Sequence, residues 1–112
     1  MYAQLTYFDG PRTDEQVAAS LRAGLERIEP AIKADAELSD QLVATYVLGA
    51  PDGGEVVINI VRTEAALRRG QQVIMSTELL PGEDPALLPG PDRIEVYRVV
   101  HSDTYSVLTS AE

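Results

Sequence analysis

The sequence predicts an α+β domain of order strand–helix–strand–strand–helix–strand, a four-stranded antiparallel sheet with two helices on one face in the ferredoxin-like manner. Three observations carry this reading. A capping box introduces an amphipathic helix, a glycine-rich turn joins two apolar strands, and further strand-like runs open and close the chain.

Tyr2 to Phe8 carries Tyr, Leu, Thr and Phe in alternation and reads as the first strand, ended by Asp9-Gly10-Pro11. Thr13 with Gln16 three positions on forms a capping box, which satisfies two orphan amides at a helix start. Asp14 and Glu15 in the first turn suit the positive end of the helix dipole. Val17, Leu21, Leu25, Ile28 and Ile32 form the expected apolar stripe, and Glu29 precedes Lys33 in the favourable i,i+4 order. Pro30 falls inside this stripe; it removes a hydrogen bond and crowds the carbonyl of Glu26, so a kink rather than a stop is expected.

Gln41 to Leu48 and Glu55 to Val61 read as a hairpin about the turn Ala50-Pro51-Asp52-Gly53-Gly54. Apart from Thr45 and Asn59 these strands are apolar on both faces, a pattern that a sheet needs only when both faces are covered. Thr63 can cap a second helix containing Leu67, Val73, Ile74 and Met75, weakened by Gly70. Pro81, Pro85, Pro89 and Pro91 exclude regular structure from 79–92, a stretch that reads either as a lid or binding loop or as a stiff strap over the second helix or a partner. Ile94 to Val100 is the last strand, and the tail after His101 is expected to fray.

Two helices cover one face of this sheet, and an exposed apolar sheet face is unusual for a monomer. The expectation is a homodimer that pairs the two bare faces about a two-fold axis and closes an α/β barrel.

The 112 residues amount to one domain, 1–112, with 45% hydrophobic and 24% charged residues. A net charge of −9 argues against nucleic acid and against anionic membrane surfaces. No apolar run approaches the length of a membrane span, and MYAQLTYFDG lacks the features of a signal peptide, so the cytoplasm is the expected location. The absence of cysteine removes disulfides and thiolate chemistry, and a single histidine argues against a structural zinc site. Neither metal nor cofactor is expected.

The element order, the opening MYAQLTYFDG, Pro30 within the first helix and above all INIVRTEAALRR (58–69) resemble the dimeric α/β-barrel superfamily, in particular its antibiotic biosynthesis monooxygenase-like domains. The resemblance implies a site between sheet and helices and, in some members, cofactor-independent oxidation of phenolic substrates. Family members often place a tryptophan where this chain has Val61, and haem-degrading members place a histidine near Gln71; both are missing here, which argues against haem.

The residues nominated for a site follow from these considerations. Asn59 in an apolar strand needs a partner for its amide, either a ligand oxygen or a neighbouring side chain. His101 could serve as a general base or lie at the surface beyond the last strand. Tyr7, Tyr46 and Tyr97, on three strands, could line a pocket together with Val61 and Gln71, or simply pack. Arg98 interrupts the last strand and is expected to pair with Glu55 or Glu95. The ligand that suits such a site is a small apolar or aromatic metabolite. Two readings remain: a domain that binds or oxidises it, and a non-catalytic dimeric binding or assembly module.

Overall fold

A computed structural model describes residues 1–105; the expectation of a frayed tail falls mainly on 106–112, outside the described residues. The elements are β1 (Tyr2–Phe8), α1 (Asp14–Arg22), a π-helical stretch (Ala23–Ile28), α2 (Glu29–Ala34), β2 (Leu42–Gly49), β3 (Glu55–Val61), α3 (Glu64–Ser76) and β4 (Arg93–Arg98). The strands form one antiparallel sheet in the order β2-β3-β1-β4, the ferredoxin-like arrangement.

Local chemistry accounts for each boundary. Thr13 accepts from the Gln16 amide at 3.1 Å while the Gln16 side chain accepts from the Thr13 amide at 2.9 Å, completing the capping box. Gly53 turns the β2–β3 hairpin with φ +89°, and a Cβ there would stand 2.5 Å from the Arg12 carbonyl oxygen. Thr63 caps α3 as expected, accepting from the Ala66 amide at 3.3 Å.

The first helix departs from the expected stripe. Its junction residues Arg22, Ala23, Ile28 and Glu29 all keep right-handed helical angles, so α1, the π stretch and α2 run on as one helix. Pro30 does not stop it, although the missing amide leaves one bond out of the ladder at its own position. The disturbance falls just upstream, where the Glu29 amide bonds the Gly24 carbonyl five residues back. The extra residue in this turn shifts the phase of the side chains. Leu21 and Leu25 stand 49% and 56% exposed, while Ala23 is buried and Ala31 and Ile32 meet the core.

That core is Leu38, Val61, Ala66 and Val73, with Tyr2, Leu42 and Leu67 packed around it. Met75, assigned to the second helix, is exposed. The strap differs from expectation in two ways. It contains a short 3₁₀ turn, Pro85–Leu87, which Pro85 opens at a position needing no amide donor. It also lies on the first helix rather than the second: Arg22 donates to the Pro81 carbonyl at 2.9 Å, and Arg27 pairs with Glu83 at 2.8 Å. Arg98 does not take the expected partners either, because Glu55 pairs with Arg12 at 3.7 Å and Glu95 with Arg93 at 3.8 Å.

Strand alternation sorts the sheet residues into two faces. Tyr2, Gln4, Asn59, Val61 and Val96 lie towards the helices; Leu5, Tyr7, Ile58, Ile60 and Tyr97 lie on the other face, as their direct pairings show. The first helix and α3 cover one face only. Among the described residues, the second is covered by nothing from the chain.

Two outcomes test this account. Leu38→Ala should cost about 3 kcal/mol in urea unfolding, as a deletion from the packed core, and Leu25→Ala should stay within about 0.5 kcal/mol of wild type. Glu83 is held below the usual carboxylate range first by the Leu80 amide and then by Arg27, and Asp35 first by Arg69. Groups so lowered stabilise the fold fully above the ordinary carboxylate pKa and lose that contribution as pH falls through it, from about pH 4–5 downwards. Urea midpoints at pH 7 and pH 3.5 should therefore differ more in wild type than in Glu83→Gln.

Candidate functional site

On the helix side a cleft of about 300 Å³ lies between α3 and the strands β1 and β4. That volume is at the small end for ligand sites. Glu64, Leu67, Arg68 and Gln71 line it from α3, at the i, i+3, i+4, i+7 spacing that puts four side chains on one helix face. Gln4, Ile94 and Val96 line it from the sheet, with Gln4 and Val96 directly paired across β1 and β4. Most of the lining surface is apolar, and its polar groups are two amides, the Glu64 carboxylate and the Arg68 guanidinium. A smaller hollow of about 200 Å³ separates α1 from the strap.

The nominated residues are not all brought together. Gln71 lines the cleft. Asn59 lies in the same layer, in a row that runs Thr45, Asn59, Gln4, Val96 across the four strands. Its carbonyl oxygen accepts the Thr45 hydroxyl at 2.8 Å, so a neighbouring side chain meets part of its bonding need. Val61 is buried at 3% exposure among Leu38, Ala66 and Val73 and belongs to the core rather than the lining.

The three tyrosines occupy the open face instead. Tyr7 and Tyr97 lie there with Arg93 and Glu95, and Tyr46 pairs with Ile58 beside them. The Arg93 guanidinium sits 3.8 Å from the centre of the Tyr7 ring, a close cation–π contact. The negative charge of Glu95, aided by desolvation, pushes the Tyr97 phenol above its ordinary value. Such a phenol stays protonated at neutral pH and is a donor rather than a base. His101 is exposed beyond β4, its Nε2 2.9 Å from an Asp103 carboxylate oxygen, and does not line the cleft.

Asn59 and the groups nominated to take a proton thus fall on different faces or ends of the sheet. Sequence reasoning missed Gln4, Glu64, Leu67, Arg68, Ile94 and Val96 as cleft residues. The helical spacing of 64, 67, 68 and 71 was the available signal for the α3 wall. For Gln4 and Val96 the signal was strand parity, which becomes usable only once the register is known.

Among the described residues, no group of three or more His, Asp or Glu side chains is placed to hold a metal ion, and no helix is long and apolar enough to cross a membrane. The chain matches no protein-family model, and no curated protein shows significant similarity to it.

Thr45→Val should remove the donor to Asn59 and destabilise the fold by about 1 kcal/mol in urea titration. Thr45→Ser should restore most of that loss. Equal stability for all three proteins would show that the hydroxyl contributes nothing to holding the amide.

Proposed function

We propose that this chain is a homodimeric α/β-barrel protein, of the antibiotic biosynthesis monooxygenase-like kind, that binds a small apolar or aromatic molecule on the helix side of each subunit. The observation that carries the reading is the uncovered sheet face. Ala3, Leu5, Tyr7, Ala44, Tyr46, Leu48, Val56, Ile58, Ile60 and Tyr97 share it, and only Arg93 and Glu95 at its β4 margin are charged. Four strands of six to eight residues give a face of roughly 400 Å² in projection, the scale at which exposed apolar surface marks an interaction site. A second copy supplies an equally apolar cover of the same dimensions.

Binding fits the geometry better than turnover. The cleft offers an apolar wall with Gln4, Gln71 and Arg68 to orient a ligand. A phenol-oxidising mechanism needs Asn59 and a base at one substrate oxygen, whereas His101 and the tyrosines stand elsewhere. The non-catalytic module is therefore the favoured form of this proposal.

Native mass spectrometry on the unmodified protein should give a dimer at micromolar concentration. Ile58→Asp, which sets a carboxylate in the middle of the open face, should give a folded monomer with an unchanged far-ultraviolet spectrum. A wild-type monomer would remove the proposal. A dimer indifferent to Ile58→Asp would place the contact on another surface.

A further inference from the structure

The cleft carries one charge of each sign, Glu64 and Arg68, set one turn apart on the α3 wall. Acid before base at i,i+4 is the order that favours a helical ion pair. The first helix closes two pairs at that spacing, Glu29 with Lys33 at 2.6 Å and Arg22 with Glu26 at 3.5 Å, the second in the less favourable order. Glu64 and Arg68 form no ion pair among the described residues, with each other or with any other side chain.

That sets Arg68 apart in a chain with twice as many acids as bases. Arg12, Arg22, Arg27, Arg69 and Arg93 each meet a carboxylate, and Arg62 donates to the Asp40 carbonyl. Of the two arginines left, Arg68 and Arg98, only Arg68 lines a hollow. The amides behave alike. Gln16 accepts from the Thr13 amide and Gln41 from the Thr63 hydroxyl, whereas the Gln4 and Gln71 side chains of the cleft have no partner among the described residues.

A molecule that fills the cleft takes water from both charges, and covering a charge is costly unless a counter-charge arrives with the cover. An uncharged molecule answers neither. An anion answers Arg68 and sets a like charge beside Glu64; a cation does the reverse. A zwitterion answers both and leaves the cleft neutral. Glu64 and Arg68 stand about 6 Å apart along the helix axis, so their long side chains reach two charged groups borne on one carbon. Ile94 and Val96, 44% and 47% exposed, offer the adjoining apolar floor. We infer that the cleft takes a free α-amino acid with an apolar or aromatic side chain, its carboxylate on Arg68 and its ammonium on Glu64. The side chain lies on Leu67, Ile94 and Val96, and the Gln4 and Gln71 amides meet the remaining polar atoms. This rests on the cleft being the ligand site proposed above and names the class of ligand.

The test is a calorimetric titration of the full chain, with the side-chain amide NMR signals of Gln4 and Gln71 reporting the place of binding. The probes are L-phenylalanine and L-leucine, each beside the analogue without the ammonium (3-phenylpropionate and 4-methylpentanoate), and indole as an uncharged aromatic. At least one amino acid should bind, shift both amide signals, and bind about fivefold or more tightly than its analogue, as one partly exposed ion pair allows. Both charged residues are exposed, so Glu64→Gln and Arg68→Gln should leave the far-ultraviolet spectrum unchanged. Glu64→Gln should abolish the preference for the amino acid over its analogue, and Arg68→Gln should weaken both. Equal binding of amino acid and analogue, or a preference that survives Glu64→Gln, would overturn the inference. Indole bound with neither amino acid bound would also overturn it, while leaving the cleft a site for apolar molecules. No binding of any probe would remove the inference and the ligand site together.

Discussion

Each strand of a sheet sends alternate residues to opposite faces, and here both sets are apolar. In β3 the helix-side set includes Val57 and Val61, and the other set Val56, Ile58 and Ile60. The single chain can cover only one of them. In the strand order β2-β3-β1-β4 both connections cross on the same side, as right-handed crossovers of this topology require, so among the described residues no third element covers the far face. Everything else in the structure answers to that imbalance. The packed core stays small, because it is confined to the layer between helices and sheet: Leu38, Val61, Ala66 and Val73.

With a small core, electrostatic ties hold the outer layer. Pro30 has no amide to offer, and the preceding helix accommodates it by widening into the π stretch. That stretch contains Arg27, whose guanidinium reaches Glu83 at 2.8 Å and the Thr77 hydroxyl at 2.8 Å. Glu83 also accepts from the Leu80 amide at 2.6 Å, so one carboxylate closes the turn in the strap and fastens it to the helix. The Glu83 side chain is only 2% exposed, and a carboxylate so placed needs both donors. Arg69 ties the segment after α2 to α3 in a similar way, through Asp35 at 2.7 Å. The proline-rich strap is thereby a fixed part of the helical layer.

What the sequence made legible is what depends on local chemistry. The capping box at Thr13, the turn at Gly53 and the cap at Thr63 are short-range patterns, and each formed as written. The stripe from Val17 to Ile32 failed at Leu21 and Leu25, and an α repeat carried through residues 23–28 miscounts there because of the single π turn. The site was less legible than the fold for a related reason. Asn59, Gln71 and Tyr97 each read as a candidate alone, but their shared or opposite faces follow from register. Register is set by β1 lying between β3 and β4, across 47 to 59 residues of chain on the one side and 86 to 96 on the other. No local window contains that information.

The placement of the polar residues bears on function more strongly than their identities do. An oxygenase site needs its hydrogen-bonding and proton-accepting groups to converge on one substrate atom. Here the Asn59 carbonyl is engaged by Thr45, the Tyr97 phenol is pushed above its ordinary value by Glu95, and His101 lies beside Asp103 out in solvent. Three groups that could do chemistry are thus each occupied locally and turned towards different surroundings. The cleft, by contrast, gathers apolar Leu67, Ile94 and Val96 with the polar Gln4, Glu64, Arg68 and Gln71 in one place. The same topology leaves the second face of the sheet bare and the cleft on the helix side, so the two lie on opposite surfaces of the sheet.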